Sequence, residues 1–109
     1  MTKIAAVVSD LMLGSRVEEG LRRAGHEVSL RPALPDDLAS YDAIVCDLDA
    51  AGAAAVAGTG LPSLGFYQHT DVETRRAAEE AGIDVVVPRS RMVRELPELI
   101  ERLLGPDRG

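Results

Sequence analysis

Aromatic residues are scarce in this 109-residue chain, which contains no tryptophan, one phenylalanine and two tyrosines. Any folded core must therefore be mainly aliphatic, and 46% hydrophobic against 28% charged residues is typical of a globular protein. The single cysteine, Cys46, has no partner for an internal disulfide, and its place in an apolar segment predicts a small buried side chain. This length predicts a single domain over residues 1–109, because half-chains would bury too little surface to be stable.

Basic residues are also fewer than acidic ones. Twelve Lys and Arg against eighteen Asp and Glu give a net charge of −6, which argues against the basic face that nucleic-acid binding requires. No apolar run approaches the ~20 residues of a membrane span, and the first residues lack the apolar segment of a signal peptide. The sequence therefore predicts a cytoplasmic protein without nucleic-acid or membrane partners.

Sequence motifs of the common enzyme chemistries are missing as well. There is no G-x-G-x-x-G, no P-loop, no C-x-x-C, no H-E-x-x-H and no G-x-S-x-G. A conventional enzyme is therefore not expected.

What the sequence does contain is a fivefold alternation of short apolar segments with amphipathic or small-residue segments. Residues 4–8, 27–30, 43–46, 62–67 and 84–88 predict five strands, and the continuous apolar run at 43–46 predicts a central strand buried on both faces. Such alternation predicts a doubly wound parallel sheet, since each parallel connection requires a crossover.

Helix signals fill most of the connections between these strands. The S-x-x-E capping box of Ser15 and Glu18 predicts a first helix that starts at Ser15 and stops at Gly25. Prolines leave room for at most two helical turns between the second and third strands, and the Ala- and Gly-rich residues 50–60 predict a short or frayed helix. A capping box of Thr70 and Glu73 predicts a helix that ends at Gly82.

The last helix carries a proline near its predicted start. Pro97 suits the first turn of a helix, so we expect the regular helix to begin near Leu96. Met92 and Val93 would then lie in a connecting turn.

Polar side chains follow four of the five predicted strands. In a parallel sheet the carboxyl ends of the strands share one edge, which is where ligands bind in open α/β folds. We therefore expect one cluster at this edge, formed by Ser9, Asp10, Asp47, Asp49, Gln68, His69, Arg89 and Ser90.

The chain resembles the receiver domain of two-component response regulators over nearly its whole length. Asp10 matches the acidic metal-binding position of that family, Asp47 its phosphoacceptor and Asp49 its main-chain metal contact. Tyr67 occupies the position of the switch threonine or serine, and Arg89 that of the invariant lysine. The resemblance implies a flavodoxin-like, five-stranded parallel sheet in the order 2-1-3-4-5, here with a shortened second helix.

Several positions depart from the family pattern. Ser9 replaces the first acid of the acidic pair, and Tyr67 replaces a short hydroxyl side chain. Arg89 replaces the lysine, so a planar guanidinium group stands where the family has a compact ammonium charge. These departures indicate a divergent, pseudo-receiver-like module with no cofactor, or with a weakly bound Mg²⁺ at Asp10, Asp47 and Asp49.

The predicted cluster is open to three interpretations. Asp47 could accept a phosphoryl group, with Asp10 holding Mg²⁺ and Arg89 stabilising the charge, which would amount at most to autophosphorylation. Alternatively, Arg89 could pair with Asp47 and Asp10 in a structural charge network without chemistry. The third possibility is a small anion or nucleotide bound at Ser9, His69, Arg89 and Ser90.

The resemblance also implies where partners would bind. The usual contact face of receiver domains corresponds here to Val72–Ala81 and to the segment from Met92 to Leu104. We expect a stand-alone signalling module that contacts a protein partner, or a second copy of itself, through this face.

Overall fold

Five parallel strands form one sheet in the computed structural model, which describes residues 2–49, 51–67 and 72–105. The strands are β1 (Lys3–Val7), β2 (Glu27–Arg31), β3 (Ala43–Asp47), β4 (Ser63–Tyr67) and β5 (Val85–Pro88). Their order across the sheet is β2-β1-β3-β4-β5. The doubly wound, flavodoxin-like architecture is therefore confirmed, and each strand bound lies within one residue of its prediction.

Helices cover both faces of the sheet. They are α1 (Leu11–Arg23), α2 (Ala53–Ala57), α3 (Val72–Ala81) and α4 (Arg89–Leu104). α1 and α4 pack together on one face, and α2 and α3 on the other, where a single 3₁₀ turn (Leu38–Ser40) replaces a helix between β2 and β3. The prediction of a shortened second helix is thus confirmed. None of the helices within the described ranges is long and apolar enough to cross a bilayer.

The central strands are buried on both faces. In β3, residues 43–46 are fully buried, and alternate residues join different clusters: Val45 packs beneath α1 and α4, and Cys46 beneath α2 and α3. This is the period-two pattern of a strand sandwiched between two helical layers. The predicted burial of Cys46 is confirmed, and burial raises the pKa of its thiol to about 12, with a smaller contribution from the neighbouring Asp47 carboxylate.

The start of α1 differs from its prediction. The helix begins at Leu11, four residues before Ser15, because Asp10 is the N-cap: its Oδ1 accepts hydrogen bonds from the backbone N–H groups of Met12 (3.0 Å) and Leu13 (3.2 Å). Aspartate caps a helix as well as serine does, and Asp10 stands earlier in the chain. The predicted end is confirmed, since Gly25 adopts a φ of 94°.

The prediction for the last helix was right in one part and wrong in another. The helix begins at Arg89, and Met92 is a fully buried core residue in it, not part of a connecting turn. The predicted start near Leu96 is confirmed for the second part of α4: Glu95 has non-helical angles (φ −120°, ψ 22°), so a new helical segment begins at Leu96 with Pro97 in its first turn. A proline inside a helix removes one N–H and clashes with the carbonyl four residues earlier, so the helix bends at this point.

The remaining helix predictions concern α2 and α3. α2 has only five residues, as its glycine-rich surroundings predicted. α3 ends at Ala81 before Gly82, whose φ is 105°, while the predicted cap at Thr70 lies outside the described residues.

Candidate functional site

Asp10, Asp47 and Arg89 lie together at the carboxyl edge of the sheet. Asp10 follows β1 and caps α1, Asp47 is the last residue of β3, and Arg89 opens α4 directly after β5. The topology β2-β1-β3-β4-β5 places the ends of β1 and β3 next to each other, because these strands are paired. The fold therefore brings two carboxylates and one guanidinium to a common edge.

Asp10 uses its two carboxylate oxygens for different contacts. Oδ1 accepts the two backbone hydrogen bonds that cap α1, and Oδ2 lies 3.8 Å from Nη2 of Arg89. The side chain is 50% exposed, and that of Arg89 is 43% exposed, so solvent screens this ion pair strongly. Asp10 thus joins the first turns of α1 and α4.

Asp47 is fixed by the backbone of the loop that follows it. Its Oδ1 accepts a hydrogen bond from the N–H of Asp49 at 2.9 Å. The pKa of Asp47 is raised, chiefly because the carboxyl group is partly desolvated, and the carboxylates of Asp49 and Asp10 raise it further. The Asp49 N–H and the charge of Arg89 act in the opposite direction without cancelling the effect of burial.

Arg89 favours one of the two carboxylates. Among the described residues it forms an ion pair with Asp10 and none with Asp47, which it influences only through its charge at longer range. The expected network of Asp47, Arg89 and Asp10 therefore contains one direct ion pair.

The other predicted site residues differ in their exposure. Ser9, Asp49 and Ser90 are exposed at the edge. Tyr67, at the family's switch position, is only 6% exposed and lies beside Pro88 in the sheet. Gln68 and His69 fall outside the described residues.

The carboxylates do not form a ready metal site. In the part of the chain that the structure describes, no three His, Cys, Asp or Glu side chains converge on a point where they could hold a metal ion. A weakly bound magnesium ion at Asp10, Asp47 and Asp49 stays a prediction.

One residue that supports the Asp47 loop was missed by the sequence reasoning. Gly65, in β4, lies under Leu48: a Cβ on Gly65 would lie 2.9 Å from Leu48 Cδ2. Leu48 packs against the α2 and α3 side of the core, so the residue between the two acids of the Asp47-Leu48-Asp49 loop rests on β4. The sequence did show a glycine in the middle of a predicted strand, and such a glycine often marks a site where another part of the chain packs closely.

Solved structures of several other proteins have a fold similar to that of this chain. No protein-family profile matches the sequence, and the search of curated proteins gave no significant match. The non-phosphorylated HemR receiver domain of Leptospira biflexa is similar over 100% of this chain and 98% of its own, with a TM-score of 0.78 and 20% identity. An orphan response regulator of H. pylori is similar over 95% of this chain and 97% of its own (TM-score 0.78, 20% identity).

A third similar structure is described as an atypical orphan response regulator with a phosphorylation-independent regulatory mechanism. It has a TM-score of 0.79 and 20% identity, over 94% of this chain and 95% of its own. This chain has the receiver-domain fold. In the receiver fold Asp47 stands at the end of the third strand, as the resemblance implied.

Proposed function

We propose that this chain is an atypical receiver-like signalling module that works through protein-protein contacts, without efficient phosphorylation of Asp47. The observation that carries the proposal is the ion pair of Arg89 with Asp10, which leaves Asp47 without a direct cationic partner among the described residues.

Aspartyl phosphorylation needs an ionised nucleophile and positive charge around the incoming phosphoryl group. Burial raises the pKa of Asp47, which opposes ionisation. Asp10 already uses one oxygen to cap α1, and Ser9 contributes no charge. These features favour a module whose surface, and not its aspartate chemistry, carries the signal.

The proposed contact face combines α3 with the outer side of α4. On α3 the exposed charges alternate in sign, and α4 continues the pattern; the residues are Glu73, Arg75, Arg76, Glu79, Glu80, Arg94, Glu98, Glu101 and Arg102. Interspersed charges of both signs favour a specific partner over non-specific attraction. The similar atypical regulator, described as phosphorylation-independent, is a precedent for regulation without phosphorylation in this fold.

The direct test is incubation with acetyl phosphate and millimolar Mg²⁺, followed by intact-mass measurement. We expect no adduct, and Asp47→Asn serves as the matched control because it keeps the size of the side chain. An adduct that forms on the unaltered protein and is lost in Asp47→Asn would overturn the proposal.

One observation favours a phosphorylatable receiver as the alternative function. Oδ2 of Asp47 has no hydrogen bond or ion pair within the described residues, so it is open to react. In that reaction Asp47 would attack the phosphorus of acetyl phosphate, the phosphorus–oxygen bond to the acetyl group would break, and acetate would leave.

A second alternative is binding of a small anion or nucleotide at Ser9, His69, Arg89 and Ser90. The N-cap of α4, Pro88, makes no side-chain capping bond, so N–H groups of the first turn remain available there. A thermal-shift screen with phosphate and nucleotides would support this alternative through a stabilisation that is lost in Arg89→Gln.

A further inference from the structure

Large hydrophobic side chains are well exposed at the starts of two helices. Leu11 and Met12, the first two residues of α1, are 79% and 82% exposed, and Val72, the first residue of α3, is 60% exposed. Elsewhere in the described ranges the large apolar side chains are buried or half-buried. One exposed hydrophobic residue on its own is ordinary, whereas two adjacent residues at this exposure indicate a surface that binds something.

Both helix starts lie at the carboxyl edge of the sheet, on either side of Asp47. α1 follows β1, and α3 follows β4. These two strands are the neighbours of β3, whose last residue is Asp47. The fold therefore places exposed apolar side chains on both flanks of a carboxylate. We call Leu11, Met12, Val72 and Asp47 the edge patch.

Asp47 has one carboxylate oxygen without a partner among the described residues. Its Oδ1 accepts the N–H of Asp49 at 2.9 Å, while Oδ2 has no hydrogen bond or ion pair there. Arg89 does not fill this position, because its guanidinium pairs with Asp10. Asp47 is half-buried, so a cation at Oδ2 would be screened less by solvent than it would be at a fully exposed acid.

The same edge is acidic. Three carboxylates, those of Asp10, Asp47 and Asp49, stand there with the one guanidinium of Arg89. Such a surface complements a partner that presents a basic side chain among apolar ones. It disfavours a second copy of this chain, which would bring the same carboxylates, and it disfavours an anionic lipid surface for the same reason.

We propose that the edge patch is a docking site for a protein segment that carries one lysine or arginine between apolar side chains. The basic group would pair with Oδ2 of Asp47, and the apolar side chains would cover Leu11 and Met12 on one flank and Val72 on the other. Removal of water from around the ion pair would strengthen it. This docking site goes beyond the proposed function, because it lies at the sheet edge and meets the contact face on α3 and α4 only at Val72.

NMR titration of the isotope-labelled protein with a synthetic helical peptide tests the docking site. The peptide has one central lysine and leucines one turn before and after it; two matched peptides replace the lysine with glutamate or the leucines with serine. We expect the lysine-leucine peptide to shift the amide signals of Leu11, Met12, Asp49 and Val72 to saturation. Both matched peptides should bind at least ~10-fold more weakly.

Variants of the protein separate the charge from the apolar flank. Asp47→Asn removes the charge at nearly constant size, and Leu11→Ser/Met12→Ser changes exposed side chains only, so both should stay folded by circular dichroism. Each should weaken binding of the lysine-leucine peptide at least ~10-fold. Glu79→Gln/Glu80→Gln on α3 removes two negative charges elsewhere and should leave the affinity unchanged.

Several results would overturn the inference. They are equal binding of the glutamate peptide, binding that is insensitive to Asp47→Asn, shifts confined to residues outside the edge patch, and no shifts at millimolar peptide. Co-sedimentation with lipid vesicles that is lost in Leu11→Ser/Met12→Ser would assign the patch to a membrane surface instead. The titration contains no phosphoryl donor, so its failure is distinguishable from a failure of the proposed function.

Discussion

Nη2 of Arg89 lies 3.8 Å from Oδ2 of Asp10, so the cation that follows β5 pairs with the helix cap after β1 and not with Asp47. The same Asp10 carboxylate holds the first turn of α1 through Oδ1. One exposed side chain therefore fixes a helix start and engages the cation that a phosphorylated Asp47 would need.

The capping role of Asp10 gives a stability prediction. Asp10→Ala should lower the free energy of unfolding by about 1 kcal/mol, because two N–H groups of α1 lose their acceptor. Asp10→Asn is the matched control: it keeps a capping oxygen and loses only the screened ion pair with Arg89, so it should cost much less. Urea denaturation measures both, and equal losses in the two variants would show that the cap contributes little.

Leu48, in the loop after β3, packs against Gly65 at a distance that leaves no room for a larger residue. Gly65→Ala places a methyl group against Leu48 and should destabilise the protein by about 1 kcal/mol, because the half-buried Leu48 side chain can shift to relieve part of the clash. Leu48→Ala in the same chain removes the clash, so the double variant should be more stable than the sum of the single changes implies. Strict additivity in denaturation experiments would contradict the contact.

Replacement of Asp47 should stabilise the fold near neutral pH. Its pKa is raised in the folded state, so ionisation is harder there than in the unfolded chain, and the stability associated with the protonated form is lost as the pH rises through the folded pKa. Asp47→Asn stays uncharged and can still accept the Asp49 N–H bond. Denaturation at neutral pH and near pH 3 should show a gain that shrinks in acid; an unchanged or lower stability at neutral pH would contradict the role of burial.

Cys46 should titrate only in strongly basic solution. Because its folded pKa is about 12 against an ordinary value of 9.0, its contribution to stability is fully present below pH 9.0 and is lost as the pH rises toward 12. Thermal unfolding between these pH values should show a decline that is reduced in Cys46→Ala, once the loss of packing is subtracted. A thiol reagent that modifies the native protein rapidly at neutral pH would contradict the burial.

Much of the fold could be predicted from local sequence patterns. Residues 43–46 are continuously apolar and end at Asp47, which specifies both a central strand and the position of the acid at the sheet edge. The helix starts could not be predicted as well, because Asp10 and Ser15 are both good caps and the structure uses the earlier one. Pro97 correctly marked the start of the second segment of α4, but no sequence signal showed the helical turns from Arg89 to Arg94 that bury Met92.

The sequence could not predict which carboxylate forms the ion pair with Arg89. The topology predicted that Asp10, Asp47 and Arg89 share an edge, but which carboxylate the guanidinium meets depends on where α4 begins. That start lies directly after Pro88, not several residues later as expected. Gly65 was missed for a similar reason, because its contact with Leu48 joins β4 to the loop after β3.

The central claim is that the departures at Ser9, Tyr67 and Arg89 keep Asp47 from being phosphorylated efficiently. The most direct measurement compares intact masses after treatment with acetyl phosphate and Mg²⁺ for the unaltered chain and for Ser9→Asp/Tyr67→Thr/Arg89→Lys, each with and without Asp47→Asn. We predict that only the triple variant with Asp47 intact gains a phosphoryl group. Equal labelling of the unaltered chain, or no labelling of a folded triple variant, would contradict the account.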